Sequence, residues 1–151
     1  MSTLIELRLS FMKHVAKYKF QEKLSVENSA QENKVILNSI NKAEILGLDK
    51  KTIEHFIITQ INIGKSIQYR YNTEWTYMPE TTIQLYNLKY IRFKLNQLTN
   101  DTIQFIYKEL KKNGEIKSHI CLYINKIFLH NFKYSDKKMI CSSLKQISLK
   151  R

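Results

Sequence analysis

The alternation of apolar and polar positions along the chain predicts a series of amphipathic helices. Hydrophobic residues recur at intervals of three and four, the spacing that gathers side chains on one face of a helix. The first such run covers about residues 3–21, with Leu4, Phe11, Val15 and Tyr18 along one side. Ser29-Ala-Gln-Glu32 reads as a capping box, with Ser25 as an alternative start one turn earlier. The helix it opens carries Val35, Ile36, Ile40 and Ala43, and Gly47 suits its C-terminal cap. Asp49 then caps a third helix predicted to reach Tyr71, followed by an irregular stretch around Trp75 and a break at Pro79. A long helix over about residues 81–112 stops at Asn113-Gly114. Two shorter helices fit the remainder, roughly 115–129 and, after an N-cap at Ser135, 136–149. The expected fold is all-α, with five or six helices in a single domain over residues 1–151.

Composition narrows this picture. Three glycines and one proline among 151 residues disfavour the many tight turns of an all-β fold. No apolar run approaches the ~20 residues of a membrane span. The first twenty residues carry Glu6, Arg8, Lys13 and Lys17 at helical intervals, unlike a signal peptide. A mature form with its leader removed would look the same. The net charge of +12 first suggests nucleic acid or an anionic membrane. Yet the 25 Lys and Arg are scattered from Arg8 to Arg151 without a block of five or six, and a small anionic ligand is served by the same field. Cys121 and Cys141 form no C-x-x-C pair, and His119 alone nearby does not make a zinc site. They are either two buried thiols or one disulfide, which would imply an oxidising compartment.

Several polar groups fall on faces that should be buried. In QINIGKSIQYRYNTEW, Gly64 and Gln68 share a face with Phe56, Ile57, Ile61 and Ile67. Glycine costs a helix about 1 kcal/mol relative to alanine. A buried amide needs a partner, so either a neighbouring helix or a ligand satisfies Gln68. Arg8 and Lys19 are eleven residues apart, which leaves them about 20° apart around the axis, with Met12 and Val15 between them. They snorkel to solvent, pair with acids, or hold an anion. Gln31 and Glu32 open the second helix, where Glu32 closes the capping box or accepts from a ligand hydroxyl. This set offers no activated nucleophile, metal cluster or Gly-rich phosphate loop. It suits binding and stabilising a small anion without covalent chemistry.

LRLSFMKHVAKYK, then SVENSAQENKVI, then AEILGLDKKTIEHFIITQINIGKSIQYRYNTEW, resembles the secreted, all-helical class of chorismate mutases. The match covers about Leu4 to Trp75, and FKYSDKKMICSSLKQI is a weaker match to that class's final helices. The resemblance implies a cofactor-free Claisen rearrangement of chorismate, a dicarboxylate, to prephenate. Its transition state gathers negative charge on the breaking ether oxygen. Arg8 matches an arginine that grips a carboxylate, and Lys19 a lysine that reaches the ether oxygen and a carboxylate. Glu32 matches the carboxylate that orients the ring hydroxyl, and Gln68 a donor to the ether oxygen. Gly64 falls where a small residue faces the substrate, here leaving room and supplying no hydroxyl.

Three positions depart from the pattern. Gln31 stands where the family has arginine, and Asn28 where it often has aspartate. A further arginine of the long helix falls, without gaps, on Asp101; Arg92 and Lys94 are substitutes on the same helix. The class resemblance also implies a homodimer with each pocket within one chain, located in the periplasm or secreted, with neither nucleic acid nor membrane as partner. Two rival readings accompany it. One is a catalytically degenerate relative kept as a binding or effector protein. The other is a basic helical nucleic-acid module, whose mark would be a steep salt dependence.

Overall fold

Where each helix starts and stops follows from the groups that replace the backbone partners lost at its ends. The computed structural model describes residues 2–79 and 86–151. Its helices are α1 (Ser2–Gln21), α2 (Ser29–Leu46), α3 (Lys50–Tyr77), α4 (Leu88–Asn113), α5 (Ser118–Asn125) and α6 (Tyr134–Lys145). The all-α expectation holds, with six helices among the described residues.

Most predicted caps form. Gly47 takes φ +101°, which an L side chain rarely adopts, and its N–H returns to the carbonyls of Ala43 and Glu44. Asp49 Oδ1 accepts from the backbone N–H groups of Lys51 and Thr52 at 3.0 and 3.2 Å. Gly114, at φ +76°, stops α4 as expected. The start of α2 differs by one residue. Asn28, and not Ser29, is the N-cap: its Oδ1 accepts from Gln31 N–H at 3.1 Å, while Glu32 Oε2 accepts from Asn28 N–H at 2.9 Å. Ser25 instead shapes the preceding turn by accepting from Glu27 N–H.

Helix α3 also outruns its predicted end. Trp75 is helical and buried, stacked on Tyr71 with ring centroids 5.1 Å apart and edge-on to Phe20 at 5.7 Å. This packing carries the helix to Tyr77, close before Pro79. Asn87 caps α4 through Lys89 and Tyr90 N–H, so the helix begins at Leu88; the predicted positions 81–85 lie outside the described residues. Helix α6 starts at Tyr134 and not after Ser135, because Asp136 Oδ2 accepts from Lys133 N–H at 2.9 Å. It stops at Lys145, after which the chain runs back to the turn between α2 and α3. There Asp49 N–H donates to Ser148 O at 2.9 Å, and Lys150 N–H to Gly47 O at 2.7 Å.

Helix α1 packs on α3, α4 and α5; α2 packs on α3 and α4; and α6 covers the far part of α3 and α5. The buried stripe of α1 is Ile5, Leu9, Met12 and Ala16 with Val15, while Leu4, Phe11 and Tyr18 lie at its half-buried edges. Cys121 and Cys141 are unbridged thiols within hydrogen-bonding reach of one another. Burial, and then Cys121, push the Cys141 thiol up to about 12.

Asp136 also joins α6 to α3. Arg70 donates to both of its carboxylate oxygens, at 2.6 and 3.3 Å, and to Asn131 O at 2.7 Å. Asp136 is buried, so removing the guanidinium leaves a carboxylate without its counter-charge. Arg70→Ala is expected to lower unfolding free energy by about 3 kcal/mol. Urea titration checks this, and a loss below about 1 kcal/mol would show the pair to be dispensable.

Candidate active site

Helix α1 carries three cations indoors: Arg8, Lys17, whose ammonium lies 5.0 Å from the Trp75 ring centroid, and Lys19. Arg8 is one residue from Leu9 and Lys19 one turn beyond Ala16 and Val15, so the face that buries these residues buries the charges too. Arg8 is 8% exposed and Lys19 7% exposed, so neither snorkels to solvent. Both open into a cavity of about 510 Å³ between α1, α2, α3 and α4. Its size lies within the ~300–1,000 Å³ usual for small-molecule sites. Asn28, Gln31, Glu32, Gly64 and Gln68 line the same cavity, so the structure brings together all seven residues singled out in the sequence.

The cations are incompletely matched. Arg8 Nη1 is buried with no hydrogen-bond partner among the described residues, and burial lowers this guanidinium to about 10. Lys19 Nζ donates to Val26 O at 2.8 Å. Burial, and next the charge of Arg92, hold its ammonium below the usual range, against the opposing pull of Glu32 and Glu27. A cation held below its ordinary pKa gains from a bound anion.

The single carboxylate lining the cavity among the described residues, Glu32, is held at both oxygens. Glu32 Oε2 closes the cap on Asn28, and Oε1 accepts from Lys65 Nζ at 2.9 Å. Lys65 also donates to Glu27 at 2.8 Å, and Tyr69 donates to the other Glu27 oxygen at 2.9 Å. These two hydrogen bonds, that of Lys65 first, hold the Glu27 carboxyl below the usual range. Each carboxylate oxygen has two lone pairs, so Glu32 retains acceptor capacity towards the cavity. Asn28 has less to spare, since its Oδ1 is already the helix cap.

Two sequence expectations change here. Gly64 does not leave open space: a Cβ built on it would stand 2.8 Å from Met12 Sδ, which fills the notch. Gln68 is buried, and its Nε2 donates to that same sulfur at 3.7 Å while Oε1 has no partner among the described residues. Asp101, reached by ungapped alignment, lies off the cavity in a separate groove with Lys94, Leu7 and Phe11. Arg92 lines the cavity instead. Lys65 and the sulfur of Met12 were not signalled by sequence. A lysine at that phase of α3 reads as solvated, and methionine reads as core. Among the described residues, no group of three His, Cys, Asp or Glu is placed to hold a metal.

The chain resembles known proteins over most of its length. A family model described as chorismate mutase type II matches residues 1–69, a span that contains the seven cavity residues singled out in the sequence. The secreted chorismate mutase of Yersinia pestis is 39% identical over 151 residues, covering 97% of this chain and 80% of its own. The monofunctional chorismate mutase of Enterobacter agglomerans is 26% identical over 147 residues, covering 97% and 81%. The crystal structure of the Yersinia pestis secreted protein superposes with a TM-score of 0.90 at 37% identity, covering 99% of this chain and 97% of that one. A chorismate mutase from Burkholderia thailandensis superposes at 0.77 with 19% identity, covering 95% and 93%, which shows a common fold.

Arg8 generates a stability prediction. Its lowered pKa means that the charged form is penalised in the folded state, fully so below about pH 10. The penalty lifts as pH rises through that value towards the unfolded one. Arg8→Met is therefore expected to stabilise the ligand-free protein at pH 7, by on the order of 2 kcal/mol, with a smaller gain above pH 10. Denaturant titrations at the two pH values check it. A destabilised variant at pH 7 would mean that the guanidinium is already well partnered.

Proposed function

The chain belongs to the chorismate mutase family, and we propose that its cavity rearranges chorismate to prephenate with the residues already described. The observation that carries this reading is the pair of buried, under-compensated cations, Arg8 and Lys19, in one small-molecule cavity. Such a site suits a dicarboxylate that reacts without a nucleophile. The reaction is unimolecular, so the protein's task is to hold a reactive conformer and favour charge where it develops.

Arg8 is suited to grip one carboxylate, its orphan N–H becoming paired on binding. Lys19 and the Nε2 of Gln68 would donate to the breaking ether oxygen. Preorganised donors of this kind are worth about 3–4 kcal/mol each in comparable sites. Glu32 would accept from the ring hydroxyl, oriented by its hydrogen bond from Lys65. Arg92 takes the part first sought at Asp101, facing the end of the substrate away from Arg8. Gln31 offers an amide where a guanidinium would fork onto a carboxylate, which weakens the grip without removing it. Asn28 serves mainly by capping α2 and so aiming Gln31 and Glu32. The residues act within one helical domain, and the protein works as a homodimer with each site inside one chain, without a cofactor.

Export follows from the same family reading, since the Yersinia pestis relative is a secreted protein. No helix among the described residues is long and apolar enough to cross a membrane. In an oxidising compartment the adjacent Cys121 and Cys141 thiols are expected to bridge, and mass spectrometry of non-reduced, exported protein should find the loss of two hydrogens. Two free thiols there would count against either the bridge or the export.

The direct test is chorismate consumption with matching prephenate formation by the purified chain. Arg8→Ala or Lys19→Ala should lower kcat/KM by at least about a hundredfold with helical circular dichroism retained. Gln31→Arg is expected to lower KM about tenfold, the effect of one charge-assisted contact near 1.4 kcal/mol. If the cavity has instead been remodelled around glutamine, that variant will melt earlier and gain no activity. No turnover by the parent chain would leave a degenerate relative that keeps the fold for binding.

A further inference from the structure

Gln68 poses a problem that its burial makes acute. A primary amide has two ends of nearly equal shape, and a half-turn about its last bond exchanges a donor for an acceptor. Only one orientation is useful at a site where negative charge develops. The N–H end stabilises that charge, and the carbonyl end repels it. Oε1 is buried without a partner among the described residues, so no donor anchors the carbonyl end. The anchor is at the other end, where Nε2 donates to Met12 Sδ at 3.7 Å. A thioether sulfur accepts and cannot donate, so it discriminates between the two orientations.

That sulfur reaches the amide because α3 has no side chain at Gly64. A Cβ there would approach Sδ to 2.8 Å, closer than real contacts allow, and the sulfur would have to move. Met12 is 4% exposed and lines the cavity beside Gln68. The missing methyl on one helix and the long thioether on the next are thus a matched pair. Helix α3 accepts the cost of an internal glycine, and α1 fills the notch with an acceptor.

We infer that Met12 is a positioning residue for Gln68: its thioether, admitted by Gly64, keeps the donor end of the amide turned to the reaction site. One N–H rests on sulfur, and the second remains for the substrate's ether oxygen. This rests on the reading of the cavity as a chorismate site. The sulfur need not touch the substrate, and its effect passes through the orientation of Gln68.

The test replaces sulfur without changing shape. In protein grown with norleucine, the methionine sulfurs become methylene groups; selenomethionine keeps an acceptor of the same kind. The other methionines described, Met78 and Met139, are exposed, so Met12 is the buried one affected. Norleucine protein is expected to lose about three- to tenfold in kcat with KM within about twofold, and selenomethionine protein to match the parent. Norleucine added to the Met12→Leu variant should cause no further loss, which assigns the effect to position 12. A packing role alone would leave norleucine protein fully active, since its shape is kept. The side-chain amide resonances of Gln68 in the ligand-free protein give a readout without turnover, and should shift with norleucine but not with selenomethionine. Unchanged resonances and unchanged kcat in norleucine protein overturn the inference. A parent chain that does not turn over chorismate removes the catalytic reading instead, a result the resonances distinguish.

Discussion

Helix α1 turns two of its buried positive charges, Arg8 and Lys19, into the cavity, and much of the remaining structure answers that constraint. Arg8 and Lys19 cannot turn outward without taking Ile5, Leu9, Met12 and Ala16 with them. The hydrophobic residues therefore supply the free energy that holds the charges in place, at about 25 cal/mol for each Å² of apolar surface buried. Among the described residues, neither charge meets a buried carboxylate in direct contact. Lys19 has a backbone carbonyl, and the sole acid on the cavity wall among the described residues is already engaged by Lys65 and a helix cap. The site is preorganised in the strict sense that its donors are desolvated before any ligand arrives.

The other helices act as a frame for that arrangement. Helix α2 presents its first turn to the cavity, so the same carboxylate both starts the helix and lines the cavity. Helix α3 contributes a long buried face on which Gly64 and Gln68 sit four residues apart. Helix α4 closes the cavity with Arg92, whose charge is felt at Lys19. At the far end of α3, the Arg70–Asp136 pair ties in α6, as the Lys65–Glu32 pair ties α2 to α3 at the cavity wall.

Much of this was legible in the sequence, and the exceptions have physical causes. The order of helices was clear because apolar periodicity and cap residues act locally. Gly47, Asp49 and Gly114 performed as expected for that reason. The start of α2 was less determinate, because Ser25, Asn28 and Ser29 are all competent caps within five residues. The end of α3 was misjudged at Trp75, where contacts with Phe20 and Tyr71 override local preference. Arg8, Lys19 and Gln68 were visible because polar groups on a buried face are anomalous. Family resemblance grouped them with Asn28, Gln31, Glu32 and Gly64. Lys65 was invisible for the opposite reason. Its partner Glu27 is 38 residues away, and nothing in its own helix distinguishes it from a solvated lysine. The reach of Met12 into the space above Gly64 likewise exists only once α1 and α3 have packed.

The positive cavity has a consequence for traffic through it. Among the described residues, Arg8, Lys19, Lys34, Lys65, Lys89 and Arg92 face the cavity against one carboxylate, Glu32. Low-dielectric walls focus such a field outward, which raises the encounter rate of a dianion and makes that rate fall with ionic strength. The rearrangement leaves both carboxylates in place, so product departs against the same field that drew substrate in. On the proposed reading of the site, a neutral Gln31 in the first turn of α2 would lower the barrier to departure along with the grip on arrival. Capture and escape are therefore set by one charge distribution, and adding a cation to hasten the first slows the second.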